Sequence, residues 1–155
     1  MLGIGNLLLQ DEGVGVHLVQ ELADRKMDCA HLTVIDAGTT PDFLSLLDHE
    51  IDKLIIVDAV KAGNDPGTLY RLGLADLNLD SAAPVSLHEI GVGENMRIMS
   101  LLGKQPKSTI FIGVEPETID YGIELSPQVK EKLPELLELV LKEIEDTKIA
   151  MEVDK

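Results

Sequence analysis

The chain has 155 residues, 45% of them hydrophobic and 26% charged, which fits one globular domain; aromatics make up only 3%, so its core rests on Leu, Ile and Val. Folding at this length removes roughly 68–70% of the surface the unfolded chain exposes, enough for a core without covalent staples. The formal net charge of −15 argues against a nucleic-acid groove and an anionic membrane surface, both of which require Lys and Arg, and is compatible with a basic protein partner or with plain solubility.

Short apolar runs alternate with helical patterns along the chain, as in a layered α/β sheet. Residues 1–4 are predicted as a short first strand. A helix is predicted over residues 13–25, with Val14, Leu18, Val19 and Leu22 on one face. Residues 31–36 read as a second strand. Thr40 and Pro41 then supply an N-cap and first helical residue for a helix bearing Phe43, Leu44 and Leu47. Residues 53–60 are almost wholly apolar and read as a strand buried on both faces. A turn rich in Gly, Asn, Asp and Pro follows between Gly63 and Gly67, and residues 68–72 read as a weaker, alternating strand.

Ser86-Leu87-His88-Glu89 has the form of a capping box, with Ser86 as N-cap. Gly91 and Gly93 predict a break before a helix that carries Met96, Met99 and Leu102 and ends at Gly103. Residues 108–114 read as another buried strand, stopped by Glu115-Pro116. The last helix starts at Ser126-Pro127 and carries Val129, Leu133, Leu136, Leu137, Val140, Leu141 and Ile144. Pro134 predicts a kink or a division into two helices. The expected organisation is a single domain over residues 1–146 with a frayed tail over 147–155. Its expected fold is a three-layer α/β/α sandwich around a mostly parallel, twisted sheet of about five strands.

The stretch Gly3-Ile4-Gly5-Asn6 admits two chemistries. Glycines in a strand-to-helix turn can cradle a dinucleotide, and Asp36, ending the second strand, lies where a ribose-binding acid would sit. The third fingerprint glycine is replaced by Leu8, however, and Asp11 and Glu12 would repel a pyrophosphate. No P-loop is present, because Gly-Lys-Ser/Thr does not occur.

The second chemistry is carboxylate-based. Ligands of an open parallel sheet bind beyond the carboxyl ends of its strands. Glu12 follows the first strand, Asp58 ends the apolar run through Val57, and His88 lies in the Ser86-capped segment. Two carboxylates and an imidazole suit nickel, zinc or a similar divalent ion. Three ligands with open positions form a catalytic pattern. Each residue also has a plainer reading: Glu12 as a first-turn helix acid, Asp58 as a cap, His88 as a capping-turn residue.

Other reactive side chains point nowhere specific. His17 falls off the apolar stripe and is expected to be solvated, His31 begins a strand, and His49 sits among Asp48, Glu50 and Asp52. Cys29 is the single cysteine, so no intrachain disulfide can form and a reducing cytoplasm is the expected location. No apolar run is long enough to span a membrane, and no signal peptide is evident. The Gly-x-Ser-x-Gly elbow of serine hydrolases is absent.

Read together, the landmarks resemble a known family. Gly3-Ile4-Gly5-Asn6 with Asp11-Glu12-Gly13-Val14-Gly15 is similar to the opening of the [NiFe]-hydrogenase maturation endopeptidases. Val34-Ile35-Asp36-Ala37-Gly38-Thr39, Val57-Asp58-Ala59-Val60, Ser86-Leu87-His88-Glu89, Gly113-Val114-Glu115-Pro116 and Leu125-Ser126-Pro127 follow in the family's order. The resemblance implies a phosphorylase/hydrolase-like α/β fold and a metal-binding trio at Glu12, Asp58 and His88, with Asp36 in support. It implies a peptidase that removes the C-terminal extension of a [NiFe]-hydrogenase large-subunit precursor after nickel insertion. The nickel is carried by the substrate, and another divalent ion is expected to occupy the site in isolation. The same trio also fits a non-catalytic nickel-sensing or chaperone module for the large subunit, and a nucleotide-binding domain is the third reading. Only Met1 and Leu2 precede the glycine turn, so the first halves of the neighbouring strands are expected to lack a ladder partner there.

Overall fold

A computed structural model describes residues 1–25, 31–39, 50–76 and 89–153. The expected helix at Thr40-Pro41, Cys29, His49 and the segment Ser86–His88 lie outside these residues. Five strands form one sheet in the order β2-β1-β3-β5-β4. They are β1 (Leu2–Ile4), β2 (Ile35–Gly38), β3 (Lys53–Ala59), β4 (Leu69–Gly73) and β5 (Ser108–Val114). Among the described residues three α-helices flank them: α1 (Val14–Asp24), α2 (Glu89–Leu101) and α3 (Pro127–Val153). The mostly parallel α/β sandwich expected from the sequence is the observed architecture.

β3 and β5 form the centre, parallel and in register from Lys53 opposite Ser108 to Ala59 opposite Val114. Their apolar runs are explained by cover on both faces. Val57 and Ile112 face α1 and α3 through Val14, Leu18, Leu136 and Val140. Leu54, Ile56 and Phe111 face α2 through Val92, Met96 and Met99. β4 is the one antiparallel strand, from Leu69 opposite Val114 to Gly73 opposite Ile110.

β1 is short, with Leu2 and Gly3 opposite Ile56 and Val57. The first residues of β3 pair with β5 and not with β1. β2 begins at Ile35 rather than at His31. Met1 N–H donates to Thr33 O at 2.6 Å and Ile35 N–H to Met1 O at 3.0 Å, and His31 is exposed in the approach to the strand.

The helices depart from expectation where packing overrides local propensity. α2 runs unbroken through Gly91 and Gly93, held by the buried Val92, Met96 and Met99. It ends as expected at Gly103, which adopts φ +66° while Lys104 N–H reaches back to Met99 O at 2.8 Å. α3 is one helix through Pro134, not two, and runs on to Val153. Leu136, Leu137 and Val140 are buried just beyond the proline and hold the helix to the sheet. No helix of the described residues is long and apolar enough to cross a membrane.

Candidate functional site

The chain leaves β1 toward β2 on one side and leaves β3 toward β5 and β4 on the other. The carboxyl ends of β1 and β3 thus flank a topological switch point, the place where open α/β sheets form their binding crevice. Glu12 follows the end of β1, and Asp58 is the last acid within β3, one residue before its end.

Glycines bring Glu12 there. Gly5 has φ +149°, and a Cβ at that position would lie 2.0 Å from the Glu12 carbonyl oxygen. Asn6 N–H donates to that same oxygen at 3.2 Å, and Asn6 accepts from Leu8 N–H on Oδ1 and from Leu9 N–H on its carbonyl, both at 3.0 Å. The loop closes on itself and enters a 3₁₀ turn over Gln10–Gly13 that leads into α1. Gly15 then lets α1 rest on the strand ends: a Cβ there would fall 2.3 Å from both Ile4 O and Val57 O. The fingerprint glycines serve this close backbone approach.

Glu12 is 6% exposed and Asp58 7%. Asp58 lies one residue past Val57, on the α2 side of the sheet with Leu54 and Ile56 by strand alternation, and its Oδ1 accepts Ala59 N–H at 2.8 Å. The Glu12 carboxylate meets no hydrogen-bond donor among the described residues. Asp36 is exposed on β2; it accepts Gly38 N–H at 3.0 Å, and Gly38 O in turn accepts Gly5 N–H at 2.9 Å. His88 lies outside the described residues. Among those described, no three His, Cys, Asp or Glu side chains gather closely enough to hold a metal ion. α2, which begins at Glu89, has thirteen residues and so spans roughly 20 Å. A short link joins its end to the start of β5, so its first turn lies toward the carboxyl edge of the sheet.

Three polar groups escaped the sequence reading. Asp11 is fully buried and accepts from the N–H groups of Glu117, Thr118 and Ser126 at 2.9, 3.0 and 2.7 Å. Glu115 accepts from Ala62 N–H at 2.9 Å, Gly63 N–H at 3.1 Å and the Tyr70 hydroxyl, shaping the loop that follows Asp58. Burial pushes the Glu115 carboxyl up, but the donors from Tyr70, Ala62 and Gly63 outweigh it and hold it below the usual carboxylate range. Glu115-Pro116 signals a strand stop and nothing more in sequence. His17, expected to be solvated, instead has its Nε2 buried with no partner; it stands one turn after the fully buried Val14, at the border of the apolar stripe.

Known proteins resemble this chain in sequence and fold. The chain is 33% identical over 142 residues to the hydrogenase 2 maturation protease of Escherichia coli (strain K12), covering 91% of this chain and 87% of that protein. It is 36% identical over 143 residues to the hydrogenase expression/formation protein HupD of Thiocapsa roseopersicina, and spans 91% of itself but 65% of that relative's length. The solved structure of the hydrogenase maturating endopeptidase HybD from E. coli superposes with a TM-score of 0.85 at 30% identity, covering 94% of this chain and 91% of that one. The hydrogenase maturation protease family model matches residues 16–143. Sequence and architecture converge on one assignment: the chain belongs to the hydrogenase maturation protease family.

Proposed function

We propose that this chain is an endopeptidase that removes the C-terminal extension of a [NiFe]-hydrogenase large-subunit precursor once nickel has been inserted. One observation supports the reading: in a member of this family, Glu12 and Asp58 are largely buried at the carboxyl-end side of adjacent strands, at the sheet's switch point. No donor among the described residues occupies the Glu12 carboxylate, so it is open to a ligand.

Glu12, Asp58 and His88 are the proposed ligands of the nickel that the substrate carries; His88 directly precedes Glu89, where α2 begins. A divalent ion beside the scissile bond polarises its carbonyl and acidifies a bound water. One of the two carboxylates takes the water's proton. The hydroxide oxygen joins the carbonyl carbon, the C–N bond breaks, and the amine leaves with a proton. Asp36 steadies the Gly38–Gly5 contact beneath the Glu12 loop. Three ligands on an open rim hold a free ion weakly, so cleavage waits for a loaded substrate, although another divalent ion can fill the site in isolation.

The test is the mass of the large subunit after mixing. A shortened product from nickel-loaded precursor, and none from metal-free precursor, is expected. Equal cutting of both removes the nickel gate. Complex formation without shortening replaces the protease with a non-catalytic nickel-sensing module. Asp58→Ala and His88→Ala should each abolish processing without unfolding the protein, and full activity in both dismisses the trio.

A further inference from the structure

The loop that carries Glu12 is fastened to a second segment that the proposed chemistry does not use. Gln10 N–H donates to Gly122 O and Gly122 N–H to Leu8 O, both at 3.0 Å, making a parallel bridge between Leu9 and Gly122. Asp11 clamps the same segment at both ends through Glu117, Thr118 and Ser126. Gly122 thus spends both backbone groups on the Glu12 loop. Its neighbours turn outward: Tyr121 is 89% exposed and Ile123 66%, and across the bridge Leu8 is 63% exposed. A lone exposed Leu needs no explanation, but large apolar side chains on two bridged loops, one of which carries Glu12, mark a contact surface. Glu117, Asp120 and Glu124 are exposed around them, and Lys130 pairs with Glu124 at 3.4 Å.

We infer that Leu8, Tyr121 and Ile123 form the surface on which the substrate polypeptide docks next to its scissile bond, presenting apolar side chains flanked by Lys or Arg. The inference rests on the peptidase reading and names the partner's contact at that same site. Two observations choose this occupant. The patch is joined through Gln10 to the turn that bears Glu12, so a chain seated on it lies next to the loop that carries this acid. The rim is acidic on a protein of net charge −15, so a basic segment is attracted and a second copy of this chain is repelled.

Two variants test it: Tyr121→Ser with Ile123→Ser, and Asp120→Lys with Glu124→Lys. Binding of nickel-loaded precursor is measured by calorimetry, and cleavage separately by mass. Each variant should weaken binding and raise KM by at least about tenfold, with kcat at saturation changed by less than about twofold and an unchanged melting temperature. Unchanged binding in both variants overturns the docking surface, and the protease reading stands if the parent chain still cuts. Binding by the parent without cutting sinks the protease reading, while its loss in the variants still upholds the surface. A dimer of the parent chain in sedimentation that the serine variant abolishes assigns the patch to self-association and overturns the proposal.

Discussion

Asp11 and Glu12 are neighbours with nearly the same burial and opposite surroundings. Asp11 accepts three backbone N–H groups and ties residues 117–126 to the first loop. Glu12 accepts none from the described residues. Mutation should therefore cost stability at Asp11 and little or none at Glu12. Asp11→Ala leaves buried donors unsatisfied and should cost about 3 kcal/mol of stability in urea unfolding. Glu12→Gln takes no hydrogen-bond acceptor from the fold, so stability should hold while processing of the precursor stops. Equal destabilisation by both substitutions would show that Glu12 is a structural acid too. Glu12 was legible in the sequence because it follows a glycine turn at a strand's end, and Asp58 because an acid closing an apolar run is unusual. Asp11 was not legible. Its partners lie 106 to 115 positions away in the chain, and no local pattern points to them.

At the scale of elements, apolar periodicity located the strands and helices because it reports burial directly. It failed where a local signal was weighed without its packing. Gly91 and Gly93 did not break α2, and Pro134 did not divide α3. The glycine turn has a sharper consequence. Gly5→Ala places a methyl 2.0 Å from the Glu12 carbonyl oxygen in a conformation that L residues rarely adopt. It should lower stability by about 3 kcal/mol or more and displace Glu12. An alanine variant with parental stability and activity would show that the close approach is dispensable. Pro134 is exposed and sits well inside α3. Pro134→Ala restores a helix hydrogen bond and should raise stability by roughly 1–3 kcal/mol, read as a shift in the urea midpoint. A fall in that midpoint would mean that α3 depends on a bend at the proline.

For the whole molecule, two buried carboxylates bind distant parts together and set its response to acid. Glu143 on α3 meets Lys53 at the start of β3 and Arg71 on β4. Burial pushes its carboxyl up, but the bonds from Arg71 and Lys53 and their positive charges outweigh that and hold it below the usual value of 4.5. Glu115 is held low by Tyr70 and the backbone of its loop. A carboxylate whose value is depressed by folding binds its proton more readily in the unfolded chain. Below 4.5 the unfolded chain then takes up more protons, and stability falls as pH falls through the folded values. Above 4.5 both groups contribute in full. Self-repulsion at net charge −15 works against the fold at neutral pH, and salt should relieve it. Urea midpoints should therefore change little from pH 7 to 5, rise with added salt at pH 7, and drop between pH 4.5 and 3. Glu143→Gln should be less stable than the parent at pH 7 and should lose less stability on acidification, because part of the linked protonation is gone. A parent chain that keeps or gains stability between pH 4.5 and 3, or a Glu143→Gln variant with the parental slope, would mean that these ion pairs are not what acid dissolves.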